Sequence, residues 1–263
     1  MLSVSRGRYL IILIIVVAIL LTTALVLSQH LFPNPQSRSN NEVSPISKSV
    51  SIRKCKALIA DGLYDLFPNK TLVNYLRNEL MRRGCEVNVY LGNNVTMEVF
   101  RKLTNYDVIV LRLHGGYGYE HGSLVTGLFT GVRWTYKYFP LAKEGYVAKG
   151  VPFYAKERAY VALLPKFFEE KLMGRFPKDS ILIAFGCFTA MNKKLIDAFL
   201  DHGLHCYIGW NGTVTINYLD KVLPILINKI IELKNPVKAV NYINKHLGPD
   251  PETGNELVIV CKG

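Results

Sequence analysis

The chain has no glycine-rich phosphate loop of the Walker or dinucleotide kind, which leaves a nucleotide-dependent enzyme without support. It also has no internal repeat, and its five cysteines, Cys55, Cys85, Cys187, Cys206 and Cys261, include no CxxC pair. That is too few, too widely spaced, for a disulfide-built miniature or a paired-ligand zinc site. His121, His202, His205 and His246 lack the i, i+4 spacing or the carboxylate company of a metal centre, so no metal or other cofactor is expected. No acidic residue occurs in the first 41 positions. The net charge of +12 comes from scattered lysines and arginines whose densest cluster outside the N-terminus is Arg53, Lys54 and Lys56. A solvated basic surface is therefore expected in preference to a nucleic-acid partner.

What is present divides the 263 residues into a leader and one α/β domain. Leu10 to Leu27 is eighteen residues without a charge, long enough for a helix to cross a bilayer. It exceeds the usual signal-peptide core of about 7 to 15 residues, and Thr22-Thr23-Ala24 is a poor cleavage site, which favours an uncleaved anchor over a secretory peptide. With Arg6 and Arg8 ahead of it, the expected arrangement is a cytoplasmic N-terminus at 1–9, a transmembrane anchor at 10–28 and everything after it outside the cytoplasm. Residues 29–51, rich in Ser, Asn and Pro, read as a flexible stalk carrying a domain over 52–263. Asn69, Asn94 and Asn211 begin glycosylation-acceptor triplets, which gain weight only from that topology.

Within the domain, Lys56 to Ala60, Glu86 to Leu91 and Asp107 to Leu113 read as strands, with an amphipathic helix at Thr71 to Arg83 and a short one at Thr96 to Leu103 between them. Right-handed crossovers make this βαβαβ unit a parallel sheet. Ile181 to Phe185 and Leu204 to Ile208 read as a fourth and a fifth strand, separated by a helix over Asn192 to His202. Helices at Tyr218 to Leu233 and Val237 to His246 precede a short edge strand, Leu257 to Cys261. The expected fold is an open, mainly parallel sheet of order 2-1-3-4-5 plus that edge strand, with helices on both faces. Gly116 to Gly150, dense in glycine and aromatics, breaks the pattern and reads as an insertion of short hairpins within 116–160. Tyr160 to Leu164 is a candidate strand and Pro165 to Met173 a candidate helix.

His114 and Cys187 each follow a strand on the carboxyl edge where open α/β sheets hold their ligands. If strands three and four are neighbours, the two residues start about 5 Å apart. A thiol near neutral pH needs a histidine beside it to become a nucleophile, and a helix N-terminus after Cys187 would lower its pKa. Gly115 and Gly116 open the backbone, and their N–H groups could join that of Cys187 as oxyanion donors. Singly, such a cysteine or histidine is usually packing; the pairing at matching strand ends makes His114 and Cys187 candidate catalytic residues. Asp61 and Trp210 share the edge and are candidate walls of a substrate pocket, the competing readings being an Asx turn or cap for Asp61 and core packing for Trp210. Cys55 and Cys85 immediately precede strands expected to be neighbours, which brings a disulfide within reach. Cys261 reads as buried filler, and Cys187 as the free thiol left by an odd count.

The stretch VIVLRLHGGYG (Val108 to Gly118), followed by ILIAFGCFTA (Ile181 to Ala190), a helix and YIGWNG (Tyr207 to Gly212), resembles the core of the caspase-like cysteine peptidases, the group of gingipains, legumains and metacaspases. With TGLFTG, the Pro-Lys-Phe-Phe helix start and GPDP, it more closely resembles a set of membrane-anchored archaeal proteins bearing such a domain. The resemblance implies the caspase-hemoglobinase fold, His114 and Cys187 as a dyad, and Gly115 as an oxyanion contributor. It transfers no substrate preference. The expectation is an extracytoplasmic cysteine peptidase acting on a peptide or protein, the alternative a catalytically silent binding or sensing module on the cell surface.

Overall fold

The structure is a computed structural model, and it describes residues 54–120, 122–153 and 155–262. The expected cytoplasmic segment, membrane anchor and stalk lie outside these residues. Among the described residues no helix is long and apolar enough to cross a membrane.

Among the described residues ten strands form two sheets. The larger holds β1 (Lys56–Asp61), β2 (Glu86–Leu91), β3 (Val108–Arg112), β8 (Ile181–Phe185), β9 (Cys206–Trp210) and β10 (Leu257–Cys261), in the order β2-β1-β3-β8-β9-β10. All its pairings are parallel except that of β10 with β9. The apolar runs of β1, β3 and β8 exist because both faces of the sheet are covered. Alternate residues go to opposite sides: Ala57 and Ile59 join Leu72, Leu76 and Leu80 of α1 (Lys70–Arg82), while Leu58 and Ala60 join Phe100 of α2 (Met97–Arg101). The first side also carries α6 (Ile216–Leu233) and α7 (Pro236–His246), and the second α4 (Pro165–Lys171) and α5 (Lys193–Asp201).

Between β3 and β8 the chain builds more than short hairpins. A second sheet, wholly antiparallel, has the order β4-β5-β7-β6, from β4 (Gly115–Glu120), β5 (Ser123–Arg133), β6 (Val147–Gly150) and β7 (Tyr160–Leu163). A short helix, α3 (Phe139–Lys143), lies between β5 and β6. Leu128, Val147, Val161 and Leu163 pack into the same apolar cluster as α4 and α5. One face of the insertion is therefore core, and the aromatic content was the sign of it. Only Leu113 and His114 separate β3 from β4, so the histidine is the hinge between the two sheets.

Two disulfides close the larger sheet. Cys55–Cys85 joins residues one position ahead of the register pair Lys56 and Glu86, with the Cα atoms 4.4 Å apart. Cys206–Cys261 joins direct cross-strand partners of β9 and β10, so Cys261 is a staple for the edge strand and not filler. The fifth strand also begins later than its apolar pattern indicates. Leu204 is the tail of α5, its N–H bonded to the Phe199 carbonyl at 3.2 Å after Gly203 at φ +92°. The strand consequently runs on through Trp210.

Candidate functional site

Cys187 stands two residues past the end of β8, in a turn pinned to the end of β9. Phe188 donates its N–H to the Gly212 carbonyl at 2.7 Å and Ala190 to that of Trp210 at 2.9 Å. The Thr189 hydroxyl donates to the Ala184 carbonyl at 2.7 Å and accepts the Trp210 N–H at 3.0 Å. Phe188 has φ +60°, a left-handed conformation that is uncommon for an aromatic residue and is held by these bonds.

That turn corrects one expectation about the thiol. The helix after it, α5, starts only at Lys193 and is capped by the Asn192 side chain, which accepts the Lys194 N–H at 2.9 Å. Its N-terminus thus does not act on Cys187. The sulfur accepts the Val214 N–H at 3.4 Å and donates to the Val214 carbonyl at 3.6 Å. Burial pushes the thiol pKa up, and the nearby Asp250 carboxylate pushes the same way against the Val214 N–H. At rest Cys187 is a neutral thiol, and it is the one cysteine among the described residues that is not in a disulfide.

His114 lies on the neighbouring strand end. The β3–β8 register pairs Arg112 with Phe185, and Leu113 continues it by donating its N–H to the Phe185 carbonyl at 3.0 Å. Adjacent strands lie about 4.8 Å apart, so the His114 and Cys187 backbones run side by side. The imidazole sits among aromatic rings, with centroids 6.5 Å from Phe67 and 6.1 Å from both Phe129 and Tyr160. Its Nε2 is buried and has no hydrogen-bond partner among the described residues. Burial first, and then the Arg112 charge, lower its pKa to about 4. The two strand ends therefore carry a neutral thiol, packed with Val214, and a neutral imidazole, packed with Phe67, Phe129 and Tyr160, not a thiolate and an imidazolium in contact. Beside His114 opens a cavity of about 220 Å³ whose walls include Phe67, Pro152, Glu157 and Arg158.

Gly115 fits because it has no side chain: a Cβ there would overlap the Cys187 carbonyl oxygen and lie 3.1 Å from Thr189 Cγ2. This contact locks the start of the second sheet against the cysteine turn.

Asp61 and Trp210, expected to wall a substrate pocket, are both inside the protein. Asp61 is 1 % exposed; its Oδ1 accepts the Leu63 N–H at 3.0 Å, an Asx turn, and its carboxylate takes Arg112 Nη1 at 2.9 and 3.0 Å. Burial outweighs Arg112 and raises its pKa to about 6. Trp210 is 0 % exposed and packs edge-on to Phe185 and Tyr218, because β9 extends through it. Neither side chain reaches a solvent-facing pocket.

Three features escaped the sequence reading. Arg112, 2 % exposed, joins Asp61 to Asp220 of α6 through Nε at 2.7 Å and Nη2 at 2.9 Å. A charged residue inside DVIVLRL was the available signal, since a buried arginine demands carboxylates. Asn69 caps α1 by accepting the Leu72 N–H, and its Nδ2 donates to Asp220 at 2.9 Å. The nitrogen that glycosylation would modify is thus already committed. Nothing in the pattern marked Val214, and Asp250 was noted only as part of GPDP, with no role attached.

No protein-family model matches the chain, and no curated protein is significantly similar to it. Fold and site together define an α/β protein with a mixed, mostly parallel sheet and a free thiol at its carboxyl edge.

Proposed function

We propose that residues 52–263 are a caspase-like cysteine peptidase domain, held outside the cytoplasm by the apolar segment at 10–28, with Cys187 as nucleophile and His114 as proton carrier. The observation that carries this reading is selective sparing: four cysteines are tied in disulfides, and the fifth stands at a strand end beside a histidine at the matching end of the next strand. The sheet order, with an antiparallel last strand, suits the caspase-hemoglobinase resemblance. Two disulfides suit an oxidising compartment outside the cytoplasm.

In the proposed reaction the sulfur attacks a peptide carbonyl and the thiol proton passes to His114, neutral because it is buried. The imidazolium then gives that proton to the amide nitrogen as the C–N bond breaks. The thioester left on Cys187 is hydrolysed by water. The N–H groups of Cys187 and Gly115 receive the oxyanion. Neutral partners suit this order of events, since His114 is then free to accept a proton.

One observation favours the silent binding module: both hydrogen-bonding functions of the thiol are taken by the Val214 peptide. Incubating the full-length chain with a mixed peptide library separates the two readings. Cleavage products that vanish in Cys187→Ala and in His114→Ala support the peptidase; an uncleaved library with a retained bound peptide supports the module.

A further inference from the structure

The segment that covers the Cys187 sulfur is itself fastened from its other side. Thr213, Val214 and Thr215 connect β9 to α6, and the turn 250–255 ties both ends of this tripeptide. Asp250, 0 % exposed, accepts the Thr215 N–H at 2.6 Å through Oδ2 and the Glu252 N–H at 2.9 Å through Oδ1. Asn255 Nδ2 donates to the Thr213 carbonyl and to its Oγ1, both at 3.1 Å, and the Thr253 hydroxyl donates to the same carbonyl at 2.8 Å. Gly212 admits this arrangement because a Cβ there would strike Asn255. Val214, between the two anchored residues, has no polar side chain of its own to hold it, yet its peptide groups make the contacts to sulfur.

From this geometry we infer that the 250–255 turn is a latch for the thiol, with Asp250 and Asn255 as positioning residues that keep the Val214 peptide against the Cys187 sulfur. The inference deepens the peptidase reading by naming how its nucleophile is held in reserve. The Val214 carbonyl accepts the S–H and the Val214 N–H donates to a sulfur lone pair, so the segment covers the sulfur at both of its polar functions. A sulfur that must attack carbon has to leave Val214, and the network 213–215 with 250–255 sets how easily it does so. Peptide binding that draws residues 213–215 away from the sulfur would release the thiol in the same step that presents the substrate.

The test is alkylation of the unreduced full-length chain with iodoacetamide, in which the sulfur displaces iodide and the thiol proton goes to solvent. With the other cysteines in disulfides, the adduct forms on Cys187 alone. Asn255→Ala removes two of the bonds that hold Thr213, leaving that from the Thr253 hydroxyl, and replaces a neutral side chain by a neutral one. The expected result is alkylation about tenfold faster than wild type at fixed pH, because the sulfur is uncovered more often once the hold on Thr213 is weakened. Val99→Ala, in α2 on the opposite face of the sheet from the Val214 cluster, is the stability control and should lower the melting temperature while leaving the alkylation rate unchanged. Asn255→Ala alkylating at the wild-type rate would overturn the latch, as would equal acceleration by Val99→Ala. Faster alkylation without any peptide cleavage would uphold the latch and end the peptidase reading, so the two fail separately.

Discussion

Gly115 and Cys187 meet backbone to backbone: the hydrogen where Gly115 lacks a side chain faces the Cys187 carbonyl oxygen. Gly115→Ala is therefore expected to cost about 1–3 kcal/mol by overpacking and to slow alkylation of Cys187. Gly118→Ala, on the same strand with nothing within 4 Å of its added Cβ, should be near neutral. Urea denaturation of both variants checks the difference.

His114 makes stability depend on pH with a definite sign. Its pKa falls from 6.5 to about 4 on folding, so its contribution is complete above about 6.5 and is lost as pH falls toward about 4, where the unfolded chain takes up the proton first. The span corresponds to about 3 kcal/mol at most. Asp61, raised from 3.8 to about 6, acts with the opposite sign in the overlapping window. The difference between wild type and His114→Leu isolates the histidine. Wild type should lose stability relative to the variant between about pH 6.5 and 4, and a constant difference would contradict the burial argument.

Arg112 is the sole guanidinium joining Asp61 and Asp220 among the described residues. Arg112→Met should destabilise the domain by about 3–5 kcal/mol, because two carboxylates are left facing a buried site without compensation. Adding Asp61→Asn to that variant should recover part of the loss. Thermal unfolding of the single and double variants reads this directly.

Much of the parallel sheet was legible because its central strands are buried on both faces and read as short apolar runs, β8 with the bounds that its run marks; the half-buried edge strand β2 also has its expected bounds, from the alternation in EVNVYL. The Cys55–Cys85 bridge was legible for a related reason, since both residues directly precede neighbouring strands. Of the second sheet only β7 was legible, as the apolar run from Tyr160, because β4 and β5 carry glycines at 115, 116, 118, 127 and 131 that hide any alternation. The pocket roles of Asp61 and Trp210 depended on where each strand ends. A two-residue shift in β9 and one ion pair with Arg112 moved both side chains from the edge to the interior. The hold of Val214 on Cys187 is a backbone contact across 27 positions, and backbone atoms leave no mark in composition or spacing.

The Cys206–Cys261 bridge secures β10, which pairs with β9 alone. Replacing both cysteines by serine opens a loop with a sequence separation of 55, for which chain entropy gives about 4 kcal/mol. Hydrogen exchange should then show the β10 amides opening before those of β1 and β3. Simultaneous loss of protection across the whole sheet would mean that β10 is no separable edge.

The proposed pairing of Cys187 with His114 is tested most directly by labelling the native, unreduced full-length chain with a peptide chloromethyl ketone and mapping the adduct by mass spectrometry. The account predicts one thioether, on Cys187, formed at a rate that rises with pH as His114 loses its proton near about 4. His114→Ala should slow it by about a hundredfold or more, and Cys187→Ala should abolish it. No adduct on Cys187 in the native chain, together with ready labelling of the same residue once the chain is unfolded in urea, would contradict the account.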